Sequence, residues 1–192
     1  MAEHNVKTFD PRISDRVGDI IEIEWAAEFG EILVLGYEGI AILTASGELV
    51  ATHSLPANVK IIGQQRLSQG WRVLACGNTE LRILSISNNG SPDVLLNGVE
   101  QVLHTARWSP SGHLLAVGSV GTTISVWNTN TGLPQWKRSI GWDTDEFLTP
   151  PTLSVNGWTP DGKRIVTTSE YLAARTCNVW YADSGEFLTS ID

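Results

Sequence analysis

The chain has 192 residues, with 13 Lys and Arg against 21 Asp and Glu, and a formal net charge of −8 at pH 7. This acidic balance argues against general binding to a nucleic-acid backbone, which requires a surplus of cationic side chains. No run of about 18 apolar residues occurs, and the N-terminus lacks the pattern of an export signal. We therefore expect a soluble protein, cytoplasmic by default, that binds neither nucleic acid nor membrane.

Residues 1–18 precede the first regular pattern. Their one strand-like stretch is Val6-Lys7-Thr8-Phe9. The sequence leaves two readings of this segment open, a stray outer strand or an N-terminal tail.

From residue 19 onward a short phrase of an aromatic residue, a turn and a glycine recurs. It reads Trp108-Ser109-Pro110-Ser111-Gly112 and Trp158-Thr159-Pro160-Asp161-Gly162, and in a more divergent form it ends at Gly30. Proline presets the backbone of such turns, and glycine supplies a positive φ angle. A second glycine recurs at similar intervals of roughly 40 to 50 residues. Both markers predict four repeat units.

Each unit contains the pattern of four short strands. Apolar residues precede the turn, a compact apolar strand follows it, and a third strand alternates apolar with polar residues, as in Ile124 to Asn128. A fourth strand follows the second glycine. The sequence predicts an all-β array with units at about 19–56, 57–97, 98–140 and 152–192, and a loop insertion at 141–151.

Two of the units carry a resemblance to a known family. Residues 98–132 and 153–187 resemble WD repeats, and the resemblance is weaker in the first two units, where Leu43 and Leu84 replace Trp127 and Trp180. It implies a β-propeller arc of four four-stranded antiparallel blades.

The departures from the family pattern have a structural consequence. Asn128 and Tyr181 stand where the family has the aspartate of its name, and Gly121 replaces a turn aspartate. The resemblance then implies that the family's buried Asp-His-Ser/Thr-Trp network is lost, so that packing must hold the blades.

Five tryptophans occupy matching repeat positions, which is typical of a core layer. We expect this layer to comprise Trp25, Trp108, Trp127, Trp158 and Trp180. Trp71 and Trp136 lie outside the pattern, and either one can be exposed.

Four blades are fewer than the roughly seven that close a ring in this family. An open arc exposes two apolar end faces, which predicts association or a missing remainder. We expect the chain to be part of a longer protein or assembly. A homodimer that completes an eight-bladed ring is the second option, and a self-closed four-bladed ring is the third.

No pattern in the sequence points to catalysis. The Gly-x-Ser-x-Gly elbow, the phosphate-binding Gly-x-x-x-x-Gly-Lys loop and the His-Glu-x-x-His zinc pattern are absent. Cys76 and Cys177 lie far apart in different units and are expected to be reduced, buried thiols. The sequence therefore predicts no catalytic residues, no cofactor and no metal site.

The insertion at 141–151 is the first candidate binding segment. Exposed aromatic residues beside acids are typical of recognition loops, and the family resemblance implies that this loop lies on the upper face of the ring. The candidate residues are Trp142, Asp143, Asp145, Glu146 and Phe147. The alternative is that Trp142 and Phe147 fold back to plug the channel or cover a blade.

The connections between the second and third strands share that face. Together they form a candidate acidic and aromatic rim that consists of Tyr37, Glu38, Glu80, Glu170 and Tyr171. Ordinary turn preferences explain most of these residues equally well.

These observations favour a non-enzymatic scaffold that binds a protein or peptide of unknown identity. The first alternative is a propeller or sensor portion of an enzyme whose catalytic part is not evident here. The second is a structural half-ring completed by dimerisation.

Overall fold

The computed structural model describes residues 11–77, 80–86, 92–96, 103–119, 123–139, 152–171 and 174–191. These residues form four separate four-stranded antiparallel sheets, and in each sheet the strands lie side by side in chain order. The expected all-β fold, an arc of four propeller blades, is confirmed.

The strand bounds of the four blades are as follows. The first blade consists of β1 (Ile20–Ala26), β2 (Glu31–Gly36), β3 (Gly39–Thr44) and β4 (Leu49–Ser54). The second consists of β5 (Lys60–Leu67), β6 (Gly70–Cys76), β7 (Leu81–Ile86) and β8 (Val94–Leu96). The third consists of β9 (Leu103–Trp108), β10 (Leu114–Ser119), β11 (Thr123–Asn128) and β12 (Pro134–Ser139). The fourth consists of β13 (Thr152–Trp158), β14 (Arg164–Tyr171), β15 (Ala174–Tyr181) and β16 (Phe187–Ile191).

Neighbouring blades pack face to face through apolar clusters. Leu33 and Leu35 of the first blade pack with Trp71 of the second, and corresponding clusters join the second blade to the third and the third to the fourth. Alternate residues of a strand point to opposite faces of its sheet, so each inner blade contributes to two clusters. Burial of these faces holds the arc together.

The first strands of neighbouring blades run in the same direction. The amide of Val155 donates to Thr105 Oγ1 at 2.6 Å, and Trp158 Nε1 donates to the carbonyl of Arg107 at 2.9 Å. Residue numbers therefore rise together along β9 and β13. We call the end where these strands begin the upper end and the opposite end the lower end.

The turn phrases form hairpin corners at the lower end. Gly112 has a φ of 73°, and its amide donates to the carbonyl of Ser109 at 2.9 Å. Ser109 Oγ also accepts a bond from the amide of Leu114 at 3.1 Å. The positive φ explains why glycine stands here, because a Cβ atom disfavours this conformation.

The tryptophan layer is only partly as expected. Trp108, Trp127 and Trp180 are buried and Trp158 is half-buried, but Trp25 is 51% exposed. Trp108 packs in the cluster between the second and third blades, whereas no blade among the described residues precedes the first one. The prediction of a buried Trp25 is therefore wrong, because the position is buried only when a preceding blade covers it.

Trp71 and Trp136, which the repeat pattern left open, are both buried. Trp71 Nε1 donates to Glu31 Oε2 at 3.0 Å, and Trp136 Nε1 donates to the carbonyl of Ala182 at 2.9 Å. Each bond joins two neighbouring blades, so these tryptophans are structural.

Two of the repeat tryptophans form hydrogen bonds within their own blades. Trp127 Nε1 donates to Ser125 Oγ and Trp180 Nε1 donates to Thr167 Oγ1, both at 2.9 Å. Asn128 also retains a turn role, since its Oδ1 accepts from the amides of Asn130 and Thr131. The expectation that packing alone holds these blades is therefore too strict.

A short helical segment covers part of one end of the arc. Pro11–Ile13 form a 3-10 turn that continues into α1 (Ser14–Val17). Ile13 and Val17 pack against Val34, Ala41 and Leu43, on the face of the first blade that points away from the second. Val6-Lys7-Thr8-Phe9, for which a strand or a tail was expected, lies outside the described residues. The two apolar side chains of residues 11–17 are buried on a sheet face that no blade among the described residues covers.

This packing leads to a stability prediction. Val17→Ser should lower the free energy of unfolding by about 2 kcal/mol, because a fully buried side chain is lost and a hydroxyl is placed among apolar atoms. The melting temperature should fall by about 4–8 °C. Asp15→Ser, an exposed change on the same helix, is the control. Equal melting temperatures for the two variants would show that the helix does not stabilise the sheet.

Candidate functional site

Each sheet places the same connection at the upper end. Because the strands are sequential and antiparallel, the loop between the second and third strands lies where the first strand begins. Tyr37, in the first of these loops, is 67% exposed. Its amide donates to the carbonyl of Asp19 at 3.2 Å, and the amide of Glu38 donates to the carbonyl of Val17 at 2.9 Å. The N-terminal segment therefore fixes this loop and presents Tyr37 to solvent.

Glu80 lies in the corresponding loop of the second blade. It is exposed and pairs with Arg82 of its own blade, with Arg82 Nη2 at 2.8 Å from Glu80 Oε2. An exposed pair of this kind contributes little to stability, so a partner's cation can replace Arg82 at small cost.

The remaining candidates are less fully placed. The backbone of Glu170 and Tyr171 forms the upper end of β14. Their side chains lie outside the described structure, as do the five candidate residues of the insertion, which are Trp142, Asp143, Asp145, Glu146 and Phe147. The rim therefore stays a prediction, and Tyr37, Glu38 and Glu80 are its described members.

A surface that the sequence did not indicate lies on the first strand. Ile21, Ile23 and Trp25 are 52%, 48% and 51% exposed. Ile23 is paired with Val34 and Trp25 with Ile32, so these side chains lie on the face that the helix partly covers. We call Ile21, Ile23 and Trp25 the first-strand stripe. Its alternation was interpreted as core, which is the usual reason for that pattern.

The opposite face of the same strand lines a polar groove. Glu22 and Glu24 lie there with Gln64 and Arg107, and Gln64 Nε2 donates to Glu22 Oε1 at 3.0 Å. Among the described side chains, the indole nitrogen of Trp108 is one of two buried polar atoms without a hydrogen-bond partner, the other being Gln65 Oε1. Both residues line the groove.

A second cavity, of about 530 Å³, lies between the second and third blades at the lower end. It is formed by the β5–β6 turn, the start of β6 and the β9–β10 turn. Arg72 crosses the blade junction here, with Nη1 donating to Thr129 Oγ1 at 2.6 Å and Nη2 donating to Asn130 Oδ1 at 3.0 Å. We call this cavity the lower pocket. It lies at the opposite end from Tyr37, Glu38 and Glu80, the described members of the predicted rim.

The thiols and metal-binding residue types do not form a reactive centre in the described part of the chain. Cys76 and Cys177 are free and half-buried. Burial raises the pKa of the Cys76 thiol, with Lys60 opposing the shift, which disfavours the nucleophilic thiolate. Over the described ranges, no group of three or more His, Cys, Asp and Glu side chains is placed to hold a metal ion. No described helix is long and apolar enough to cross a membrane.

Comparison with known proteins supports the fold. No protein-family model matches the sequence, and no curated protein matches it. Among solved structures, the chain is similar to Kluyveromyces lactis Hsv2, with a TM-score of 0.51 and 15% sequence identity. The match covers 85% of this chain and 62% of Hsv2, so the chain spans less than two thirds of that protein. Because Hsv2 is a β-propeller, the similarity agrees with the four sheets, and the chain has the fold of a propeller arc.

Proposed function

We propose that this chain is a non-enzymatic scaffold, built on WD-like blades, that binds a protein or peptide as part of a larger protein or assembly. The first-strand stripe is the observation that carries this proposal. It presents three large apolar side chains on a single strand, each about half exposed, and Ile23 and Trp25 share one face of the sheet.

The position of the stripe supports protein binding in two ways. Contiguous exposed apolar side chains are costly in water and mark interaction surfaces more often than scattered ones do. The strand is also an edge strand, since β1 lies at the end of its sheet order and pairs only with β2. An edge strand offers backbone groups to a partner, and tryptophan is a frequent anchor of binding energy.

The upper end supplies a second surface for the same partner or another one. Tyr37 is exposed on a loop that the N-terminal segment holds in place, so its ordering cost on binding is small. The acidic and aromatic residues of the insertion at 141–151 are predicted, from the family resemblance, to join this surface.

The test is partner capture by variants that keep their fold. Ile23→Ser combined with Trp25→Ser should abolish retention of partners from an extract of the source cells while the melting temperature stays within about 2 °C, because exposed side chains contribute little to folding. Leu133→Ser, which removes a similarly exposed but isolated apolar side chain, is the matched control and should retain them. Equal retention by all three proteins would contradict a role for the stripe.

The upper surface is tested separately. Trp142→Ala combined with Phe147→Ala should weaken capture if the predicted loop contributes. Loss of capture in this variant alone would move the binding surface from the stripe to the upper end.

A half-ring completed by a second copy is the other candidate. The last blade exposes Tyr181 and Ile191 on the face opposite Trp180, so apolar side chains occur at both ends of the arc. The helix α1 already covers part of the first blade's end face, and a second copy must share that face with it. Sedimentation equilibrium distinguishes the half-ring from the scaffold, because only the half-ring gives twice the mass of one chain. The Ile23→Ser, Trp25→Ser variant should then lose the dimer.

A further inference from the structure

The lower pocket has a charge that is unusual for this chain. The protein carries a net charge of −8, yet the pocket lining includes Arg66, Arg72 and His113 and no Asp or Glu. The pocket is therefore a local basic site on an acidic protein.

The two arginines of the pocket differ in how their charge is balanced. Arg66 is neutralised by Glu31, with Nε at 2.7 Å from Oε2. Arg72 bonds only the neutral oxygens of Thr129 and Asn130, and no described carboxylate lies within ion-pair distance of it. Burial lowers the pKa of Arg72, which is the effect of partial desolvation without a compensating anion. The guanidinium stays protonated, so its charge remains available to a ligand.

Two carboxylates lie near the pocket, and both accept hydrogen bonds from residues of its lining. Asp93 Oδ1 accepts a bond from the amide of Ser85 at 3.1 Å, and Glu31 bonds Arg66 and Trp71. Neither carboxylate is part of the lining. Arg72 is therefore the lining arginine whose charge no described carboxylate balances.

The pocket also supplies several hydrogen-bond donors around Arg72. Ser68, Gln69, Ser111 and His113 line it and are exposed. The bonds to Thr129 and Asn130 hold the guanidinium in one orientation and use two of its five N–H donors. A fixed, planar guanidinium surrounded by hydroxyl and imidazole donors is suited to a phosphate group, which has several acceptor oxygens and about two negative charges.

We propose that the lower pocket binds a phosphate monoester group, with Arg72 as its principal anion contact and His113 and Ser111 as further donors. A volume of about 530 Å³ exceeds what inorganic phosphate fills and lies within the usual range for small-molecule sites. The phosphate is therefore carried by a larger molecule, either a phosphorylated side chain of a peptide or a small phosphate ester. The site is independent of the first-strand stripe.

The experiment is an NMR titration of the isotope-labelled chain with a short phosphoserine peptide, the same peptide with serine, and glycerol 3-phosphate. We expect the phosphoserine peptide to bind at least about tenfold more tightly than the serine peptide. The shifted amides should lie at 68–72 and 111–113. Equal affinity for both peptides, or shifts confined to other residues, would overturn the proposal. The affinity of glycerol 3-phosphate relative to the phosphopeptide tells which source is preferred.

The variants assign the contact to named residues. Arg72→Gln should weaken phosphoserine binding about tenfold or more, and Arg82→Gln, an exposed arginine at the upper end of the same blade, should not. Arg72 also bridges two blades, so Arg72→Gln can affect folding as well as binding. His113→Gln is therefore the second variant, because it changes an exposed side chain and leaves the blade junction intact. Unchanged affinity in a folded Arg72→Gln, or in His113→Gln if the first variant does not fold, would overturn the assignment. Capture through the first-strand stripe should be unaffected in both variants.

Discussion

Replacing Glu31 with Ala should lower the free energy of unfolding by about 3–5 kcal/mol, because it leaves a buried guanidinium without its counterion. Glu31 accepts bonds from Arg66 Nε at 2.7 Å and Nη2 at 3.0 Å, and from Trp71 Nε1 at 3.0 Å. The side chain of Arg66 is only 13% exposed and lies 4.2 Å from the ring centre of Phe29. The variant therefore breaks the charged link between the first and second blades and leaves the bond between Gln64 and Glu22 in place.

Urea unfolding followed by tryptophan fluorescence measures this effect. Glu48→Ala, an exposed change in the same blade, is the control and should cost less than about 0.5 kcal/mol. The double variant Glu31→Ala, Arg66→Met should be more stable than Glu31→Ala alone, because the unpaired charge is then gone. A single-variant loss below about 1 kcal/mol would mean that the pair is solvated and does not hold the junction.

Gly132→Ala should cost about 3 kcal/mol, from two additive causes. The residue has a φ of 69°, a conformation that costs an L-residue about 1–2 kcal/mol. An added Cβ would also overlap the carbonyl oxygen of Leu95 in the neighbouring blade. Because the obstacle is backbone, it cannot rotate away, and overpacking of this kind typically costs a further 1–3 kcal/mol or so.

Gly47→Ala separates the two causes. Gly47 has a φ of 87°, but a Cβ there would meet nothing within 4 Å. We expect this control to lose only the conformational part, about 1–2 kcal/mol, in the same urea experiment. Equal losses in the two variants would show that the contact between Gly132 and the second blade does not restrain the structure.

The fold could be predicted from the sequence because the patterns that specify it lie within short stretches of the chain. The glycine turns at Gly112 and Gly162 and the strand alternation between them recur at a regular interval, and each of these patterns follows from neighbouring residues alone. The number of sheets, the number of strands per sheet and their sequential antiparallel order were all predicted, and the structure has them.

Much less of the candidate site could be predicted from the sequence. The sequence predicts binding residues at the upper end, and most of that set still awaits a test. The lower pocket was missed, since Arg72, Ser111 and His113 lie on two different blades and form no motif along the chain. One residue of the sequence does indicate that this region is unusual. Arg66 stands where the third and fourth blades have Trp108 and Trp158, so the blade junction at Arg66 is expected to differ from theirs.

Repeat periodicity alone therefore establishes that the chain folds into propeller blades and where their turns lie. Only the tertiary structure decides which of the matching repeat positions have the same surroundings. Trp25 and Trp108 share a repeat position, but one is exposed and the other buried, because burial depends on whether a neighbouring blade covers that face. The same dependence places α1 on the end face, pairs Glu31 with Arg66 and leaves Arg72 without a counterion, since each of these contacts joins segments that lie far apart in the chain.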